Sequence, residues 1–129
     1  TEKIGKINES RNHLYLEFFR TVNIIRPKFF LIENVRGLVA ANKGGFVKDI
    51  IKRFGGIGYN VSYKILNASD YGVPQNRQRV FFVGLLEGEF EFPEKFEYKV
   101  STKEAIMDLI QSNEKDVQKY STQKMSIRN

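Results

Sequence analysis

Two short polar segments of the chain carry side chains that suit chemistry at a shared site. The first, Glu33-Asn34, directly follows the apolar run "FFLI". The second, Gln75-x-Arg77-x-Arg79, directly precedes the apolar run "VFFVG". A carboxyl group can hold or donate a proton, and a guanidinium is a permanently charged, planar hydrogen-bond donor. These residue types fit a polar binding site, provided that the fold brings the two segments together.

The apolar spacing predicts alternating helices and strands. Helices are predicted over about residues 12–26, over "GGFVKDIIKRF" and after a capping box formed by Ser101 and Glu104. Strands are predicted over about residues 28–34, 59–66 and 79–86. The first strand, with "FFLI" as core, fits the interior of a sheet covered by helices on both faces, whereas the alternating second strand fits an edge and the apolar third strand an internal position.

The connections between these strands predict where the polar segments lie. A helix joins strands one and two, which makes them parallel, whereas only about a dozen residues with turn signals join strands two and three, which makes that pair antiparallel. The start of strand three then lies at the same rim of the sheet as the end of strand one. This brings Gln75, Arg77 and Arg79 close to Glu33 and Asn34, at the rim where open α/β sheets bind ligands.

Each polar feature also has a simpler interpretation. Glu33 alone could be a salt-bridge partner or a helix cap, and Asn34 could hydrogen-bond its own backbone. The segment "QNRQR" could be a solvated loop whose cations protect an aggregation-prone strand. We favour a functional site because polar residues with unrelated structural roles would not be expected to converge on the same rim of the sheet.

Composition limits the class of protein. The 129 residues are 41% hydrophobic, which predicts a globular domain, and the net charge of +6 favours contact with polyanions such as nucleic acid. The 129 residues contain no cysteine and one histidine, so we expect no disulfide, no metal site and no cysteine nucleophile within them. The sequence has neither a membrane-spanning run nor a signal peptide, which predicts a cytoplasmic protein.

Several motifs together resemble the catalytic domain of the DNA cytosine-5 methyltransferases. "PKFFLIENVRGL" contains the family's Glu-Asn-Val motif at Glu33, and "GYNVSYKILNASDYGVPQNRQRVFFVG" contains its Gln-x-Arg-x-Arg motif. "ESRNHL" resembles a third motif, although Glu9 replaces the usual aspartate. The resemblance covers about residues 9–85 and continues more loosely to about residue 110. It implies an α/β fold, namely the second half of a Rossmann-like doubly wound sheet with one antiparallel strand.

The resemblance also implies a reaction. In the family, a cysteine thiolate adds to C6 of a cytosine flipped out of double-stranded DNA, and C5 then takes the methyl group of S-adenosyl-L-methionine. It implies that Glu33 contacts N3 and the exocyclic amine of the base, that Arg79 contacts O2, and that Arg77 binds phosphate or braces the site. Gln75 and Asn34 are expected to position the substrate, and Leu14 is expected to line the cofactor pocket.

The chain also departs from the family pattern, because it has neither the glycine-containing cofactor loop nor the Pro-Cys nucleophile. We therefore expect residues 1–110 to be a partial catalytic domain, inactive alone, and residues 111–129 to be a polar extension towards an absent target-recognition domain. Expected partners are DNA and the missing N-terminal half, or a second copy of the chain that pairs through an exposed sheet edge. Two alternatives remain: a non-catalytic nucleic-acid-binding or assembly subunit with the same fold, and a related RNA cytosine methyltransferase.

Overall fold

The computed structural model of the protein describes residues 15–107. Helix α1 covers residues 15–25, α2 covers Gly45–Gly56 and the short α3 covers Thr102–Ala105. The strands are β1 (Phe29–Val35), β2 (Asn60–Asn67) and β3 (Gln78–Leu85). Short 3-10 helices cover Arg36–Val39, Ala41–Gly44 and Ala68–Tyr71. Within the described part of the chain, no helix is long and apolar enough to cross a membrane.

The chain divides into two compact units. Among the described residues, the first unit takes 15–67 together with 78–94, and it contains the three strands with α1 and α2. The second unit takes residues 68–77 together with 95–107, and it contains the 3-10 helix after β2 and α3.

The three strands form one sheet in the order β1-β3-β2. Strand β3 is antiparallel to both neighbours, so β1 and β2 run in the same direction. The predicted strand directions and the inner position of β3 are confirmed. Val35 at the end of β1 pairs with Arg79, and Asn67 at the end of β2 pairs with Gln78. The carboxyl ends of β1 and β2 therefore meet the start of β3 at one rim of the sheet.

One face of the sheet packs against both α1 and α2. Phe54 of α2 is fully buried, and its ring centroid lies 4.2 Å from that of Phe30 on β1. The buried cluster consists of Val22, Phe30, Val47, Ile50, Phe54, Tyr59, Val80 and Phe82. A hydrogen bond beside this cluster joins the segments that follow α1 and α2. In it, the Tyr59 hydroxyl donates to the Pro27 carbonyl over 2.6 Å. This packing fixes the sheet that carries the polar rim.

The position predicted for the first strand needs correction. Strand β1 lies at an edge of the described sheet, and it is not covered by helices on both faces. Phe30 is 4% exposed, whereas Phe29 and Leu31 are 63% and 52% exposed. Because α1 and α2 pack only on the face that carries Phe30, the alternate side chains point away from this core. The prediction that the whole "FFLI" run is core is wrong for Phe29 and Leu31.

Gly84 on β3 provides the space that the Phe30 ring occupies. The two residues pair directly across the strands, and a methyl group added at Gly84 would overlap the edge of the Phe30 ring. A side chain at this position must therefore displace the ring that contacts Phe54. The glycine is a packing requirement of the core on which the rim is built.

We predict that Gly84→Ala lowers the free energy of unfolding by about 1–3 kcal/mol, the usual cost of overpacking a core. Urea denaturation followed by circular dichroism measures the change. Gly55→Ala is the matched control, because an added methyl group there meets nothing within 4 Å and alanine favours the helix. A Gly84→Ala protein as stable as the wild type would contradict this account of the core.

Candidate functional site

Glu33 and Arg79 form an ion pair at the rim of the sheet. The Arg79 Nε lies 2.9 Å from Glu33 Oε1. The Glu33 side chain is 45% exposed and that of Arg79 is 24% exposed, so both groups are accessible from solvent. The predicted proximity of these two residues is confirmed, although 46 positions separate them in the sequence.

Strand register explains how the sequence produces this pair. Val35 pairs directly with Arg79, and Glu33 precedes Val35 by two residues on the same face of β1. Glu33 and Arg79 are therefore diagonal neighbours across the two strands, a distance that long side chains span. A shift of the pairing by one residue would place the two side chains on opposite faces of the sheet.

The guanidinium of Arg79 is held by a second contact. Its Nη1 donates to the backbone carbonyl of Gln78 over 2.9 Å. This hydrogen bond and the ion pair with Glu33 together restrain the guanidinium. Both side chains of the ion pair remain partly exposed, so an incoming ligand can reach them.

Asn34 makes a local contact. Its Oδ1 accepts a hydrogen bond from the backbone N–H of Val35 over 2.8 Å. This is the simpler of the two interpretations that the sequence allowed. The contact fixes the backbone where β1 ends, and a direct contact from Asn34 to a ligand stays a prediction.

Sequence reasoning missed one contact at this rim. The Arg36 Nη1 donates to the Gln78 side-chain oxygen over 2.7 Å. Arg36 is the first residue after β1, and Gln78 is the first residue of β3. The strand register indicates this contact. Val35 pairs with Arg79, so Arg36, which follows Val35, must come near Gln78, which precedes Arg79.

Gln75 and Arg77 belong to the second unit, in the loop that leads to β3. Both residues are exposed. The Gln75 N–H donates to the Val73 carbonyl, and the Arg77 carbonyl accepts from the Ala68 N–H over 2.9 Å, which closes the base of the loop. The predicted roles of Gln75 and Arg77 towards substrate stay predictions.

The loop that carries Gln75 and Arg77 is anchored by Asp70, a second feature that sequence reasoning missed. Asp70 is 7% exposed, and its carboxylate receives Lys95 Nζ at 2.7 Å and Lys99 Nζ at 3.1 Å. The Phe96 N–H donates to the Asp70 carbonyl over 2.9 Å. The hydrogen bonds from Lys95 and then Lys99 hold the pKa of the Asp70 carboxyl below its ordinary value. No short-range sequence pattern reveals a contact between segments this far apart.

Leu14, the residue predicted to line the cofactor pocket, lies outside the described residues. An apolar pocket of about 350 Å³ lies between the end of α1 and β1, and Thr21 is its one polar side chain. A ribose and a charged amino-acid group need carboxylate, amide or guanidinium partners, which this lining does not offer. We therefore assign no cofactor contact to this pocket.

Comparison with known proteins places the chain in a family. The model of the C-5 cytosine-specific DNA methylases matches residues 3–129. The chain belongs to this family. The two motifs that supply Glu33 and Arg79 are therefore family motifs, and the α/β fold is that of a DNA methylase.

Individual DNA methylases resemble the chain over part of their length. A type II methyltransferase of Fusobacterium nucleatum, M.FnuDI, is 49% identical over 102 residues, which are 76% of this chain and 28% of the relative. M.NgoPII of Neisseria gonorrhoeae is 40% identical over 110 residues, 80% of this chain and 32% of the relative. The chain thus spans about a third or less of the curated relatives that it matches.

A solved structure supports the fold. It is the crystal structure of a protein described as a DNA modification methyltransferase encoded within an E. coli prophage. The TM-score is 0.64 at 35% sequence identity, and the match covers 75% of this chain and 30% of that chain. The antiparallel sheet of β1, β3 and β2 is accordingly part of a Rossmann-like methyltransferase fold.

The Asp70 anchor predicts an acid-sensitive loop. The folded-state pKa of Asp70 lies below the ordinary value of 3.8, so its contribution to stability is present above pH 3.8 and is lost as the pH falls through the folded-state value. We expect Asp70→Asn to lower the urea midpoint at about pH 6, with the difference from wild type shrinking as the pH falls below 3.8.

Asp49→Asn is the control for that measurement. Asp49 forms an exposed ion pair with Arg53 at 2.7 Å on α2, and exposed pairs of this kind contribute little to stability. If Asp70→Asn and Asp49→Asn had equal and small effects at pH 6, Asp70 would not be an anchor of the loop.

Proposed function

We propose that this chain carries the base-recognition side of the active site of a DNA cytosine-5 methyltransferase. The observation that carries the proposal is the accessible ion pair of Glu33 and Arg79, at the rim where open α/β sheets bind ligands. The reaction is transfer of a methyl group from S-adenosylmethionine to C5 of a cytosine in DNA. The cofactor supplies an electrophilic methyl group. We propose that its contacts lie outside residues 15–107, and Leu14 is the residue predicted to contact it.

Glu33 is proposed to bind the Watson–Crick edge of the cytosine. Its carboxyl group can accept a hydrogen bond from the exocyclic amine and share a proton with N3. When a thiolate adds to C6, negative charge gathers on the ring, and a hydrogen bond or proton at N3 stabilises that charge. The Glu33 side chain is 45% exposed, so it is accessible for this role.

Arg79 is proposed to bind O2 of the same cytosine. A guanidinium remains charged throughout the reaction, so it can stabilise an oxygen that gains negative charge. The contact of Arg79 with the Gln78 carbonyl orients the guanidinium before the base arrives. Arg77 and Gln75 are proposed to contact the DNA backbone and position the substrate, and Asn34 to position the end of β1.

The substrate must leave the DNA stack before it reaches this rim. C5 and C6 lie within a stacked duplex, so the cytosine is flipped out at the expense of a few kcal/mol of unstacking and unpairing. The net charge of +6 favours contacts with phosphate that offset this expense. We propose double-stranded DNA as the substrate and the cytoplasm as the place of action.

The nucleophile is proposed to come from another segment of polypeptide. None of the 129 residues is a cysteine, so the thiolate that adds to C6 lies outside them. The chain by itself is therefore proposed to be inactive. A partner that supplies the Pro-Cys segment and the cofactor loop would complete the site.

Reconstitution of methyl transfer is the test. The chain is mixed or co-expressed with the part of M.FnuDI outside the 102 matched residues, and transfer of tritiated methyl groups to duplex DNA is measured. We expect the wild-type mixture to be active, and Glu33→Gln and Arg79→Ala to reduce kcat by about 10²–10³-fold, the usual effect of removing a group that stabilises developing charge.

Glu17→Gln and Arg20→Ala are the matched controls. These residues form an exposed ion pair on α1 at 2.8 Å, and we expect their loss to leave methyl transfer unchanged. Activity that survives both Glu33→Gln and Arg79→Ala would refute the proposed roles. A wild-type mixture that binds DNA but transfers no methyl group would favour the alternative of a non-catalytic binding subunit, and a preference for RNA would favour an RNA methyltransferase.

The open edge of β1 is proposed to pair with another strand. No strand covers this edge among residues 15–107, and Phe29, Leu31 and Val35 are exposed beside it. An exposed apolar edge promotes strand pairing between chains. We expect the isolated chain to self-associate in sedimentation velocity, and Leu31→Lys to shift it towards monomer. A monomeric wild-type chain would contradict this proposal.

A further inference from the structure

Arg36 and Gln78 form a second contact at the rim that carries the proposed base site. Glu33 contacts the side chain of Arg79, whose neighbour Gln78 accepts a hydrogen bond from Arg36 at 2.7 Å. Arg36 follows Glu33 by three residues along the chain. Two side-chain contacts thus join the end of β1 to the start of β3. Both connect residues 33–36 with residues 78–79.

The two contacts lie on opposite faces of the sheet. Gln78 and Arg79 are consecutive residues of β3, and consecutive side chains of a strand point to opposite faces. The contact of Glu33 with Arg79 therefore restrains one face of the rim, and the contact of Arg36 with Gln78 restrains the other. A twist of the strand end that relaxed one contact would strain the other.

This restraint acts where the backbone ladder stops. Val35 and Arg79 are the last paired residues of β1 and β3, and the chain then leaves β1 through the 3-10 helix Arg36–Val39. Strand ends fray because they lack further ladder hydrogen bonds. Strand β3 is still held here by β2, since Gln78 pairs with Asn67, so the contact from Arg36 limits fraying of the end of β1 from β3.

Gln78 also connects the two guanidinium groups. Its side-chain oxygen accepts from Arg36, and its backbone carbonyl accepts from Arg79 Nη1 at 2.9 Å. A displacement of Gln78 would therefore move the carbonyl that orients Arg79.

We propose that Arg36 and Gln78 are positioning residues that hold Glu33 and Arg79 in the geometry needed to bind the base. This inference rests on the proposed function of that pair. Arg36 is exposed, so its contact contributes little to global stability. Its effect is to keep the side chains of Glu33 and Arg79 in fixed positions.

Four variants separate positioning from other roles. Arg36→Met keeps the aliphatic stem without the donors, and Gln78→Met keeps the length without the acceptor oxygen. Gln78→Glu retains an acceptor, which a guanidinium bonds at least as strongly. Arg20→Met removes a guanidinium from the exposed pair on α1 and serves as the control.

The first measurement uses the chain alone. Exchange of the Arg79 Nη protons with water is measured by NMR. We expect exchange to become about three- to tenfold faster in Arg36→Met and in Gln78→Met, since loss of the contact between Arg36 and Gln78 weakens the hydrogen bond from Arg79 Nη1 to the Gln78 carbonyl. The double variant should be no faster than either single variant, and Gln78→Glu and Arg20→Met should match the wild type. Unchanged exchange in Arg36→Met would overturn the proposal.

The second measurement uses the reconstituted enzyme. We expect Arg36→Met and Gln78→Met to lower kcat about tenfold with an unchanged KM for DNA, because misplacement of catalytic groups affects the reacting complex. A raised KM with a salt dependence reduced by about one phosphate contact would instead identify Arg36 as a phosphate ligand and overturn the proposal. If the wild-type mixture transferred no methyl group, the proposed function would fail. The NMR measurement would still decide whether Arg36 and Gln78 hold the Arg79 side chain in position.

Discussion

The pairing of β1 with β3 is the constraint on which the candidate site depends. Its register places Val35 opposite Arg79, and every polar contact at the rim follows from that pairing. The ion pair of Glu33 and Arg79 is too exposed to set the register by itself, because exposed pairs stabilise a fold by less than about 1 kcal/mol. The register is set by the buried residues, above all by the fit of the Phe30 ring over Gly84 and against Phe54.

The arrangement of the strands could be predicted from the sequence because it follows from connection length and chain direction. A helix between β1 and β2 and a short loop before β3 are sufficient to bring Glu33 and Arg79 to one rim. Burial on the two faces of β1 could not be predicted in the same way. An apolar run such as "FFLI" has the same composition whether one face or both faces are covered, and only the positions of α1 and α2 decide between these cases.

The contacts that the sequence did not reveal share a physical cause. Asp70 meets Lys95 and Lys99, and Arg36 meets Gln78, through pairs of segments that are distant in the chain and carry no local periodicity. Hydrophobic periodicity reports which face of an element is buried, but it does not report which polar side chains face each other across a turn. Such contacts require the three-dimensional register, and in this chain they surround the residues that the family motifs supply.

The ion pair that Glu33 and Arg79 form in the free chain has a consequence for selection between pyrimidine bases. In the free chain the acid and the guanidinium already pair with each other, so a ligand that binds both groups exchanges part of this pairing for new contacts. The net gain is a small difference between two sets of hydrogen bonds. A ring that presents a carbonyl where cytosine presents an amine would face the carboxylate with like polarity and could not complete the exchange. Discrimination between pyrimidines would then arise at the moment of exchange, without a separate specificity pocket.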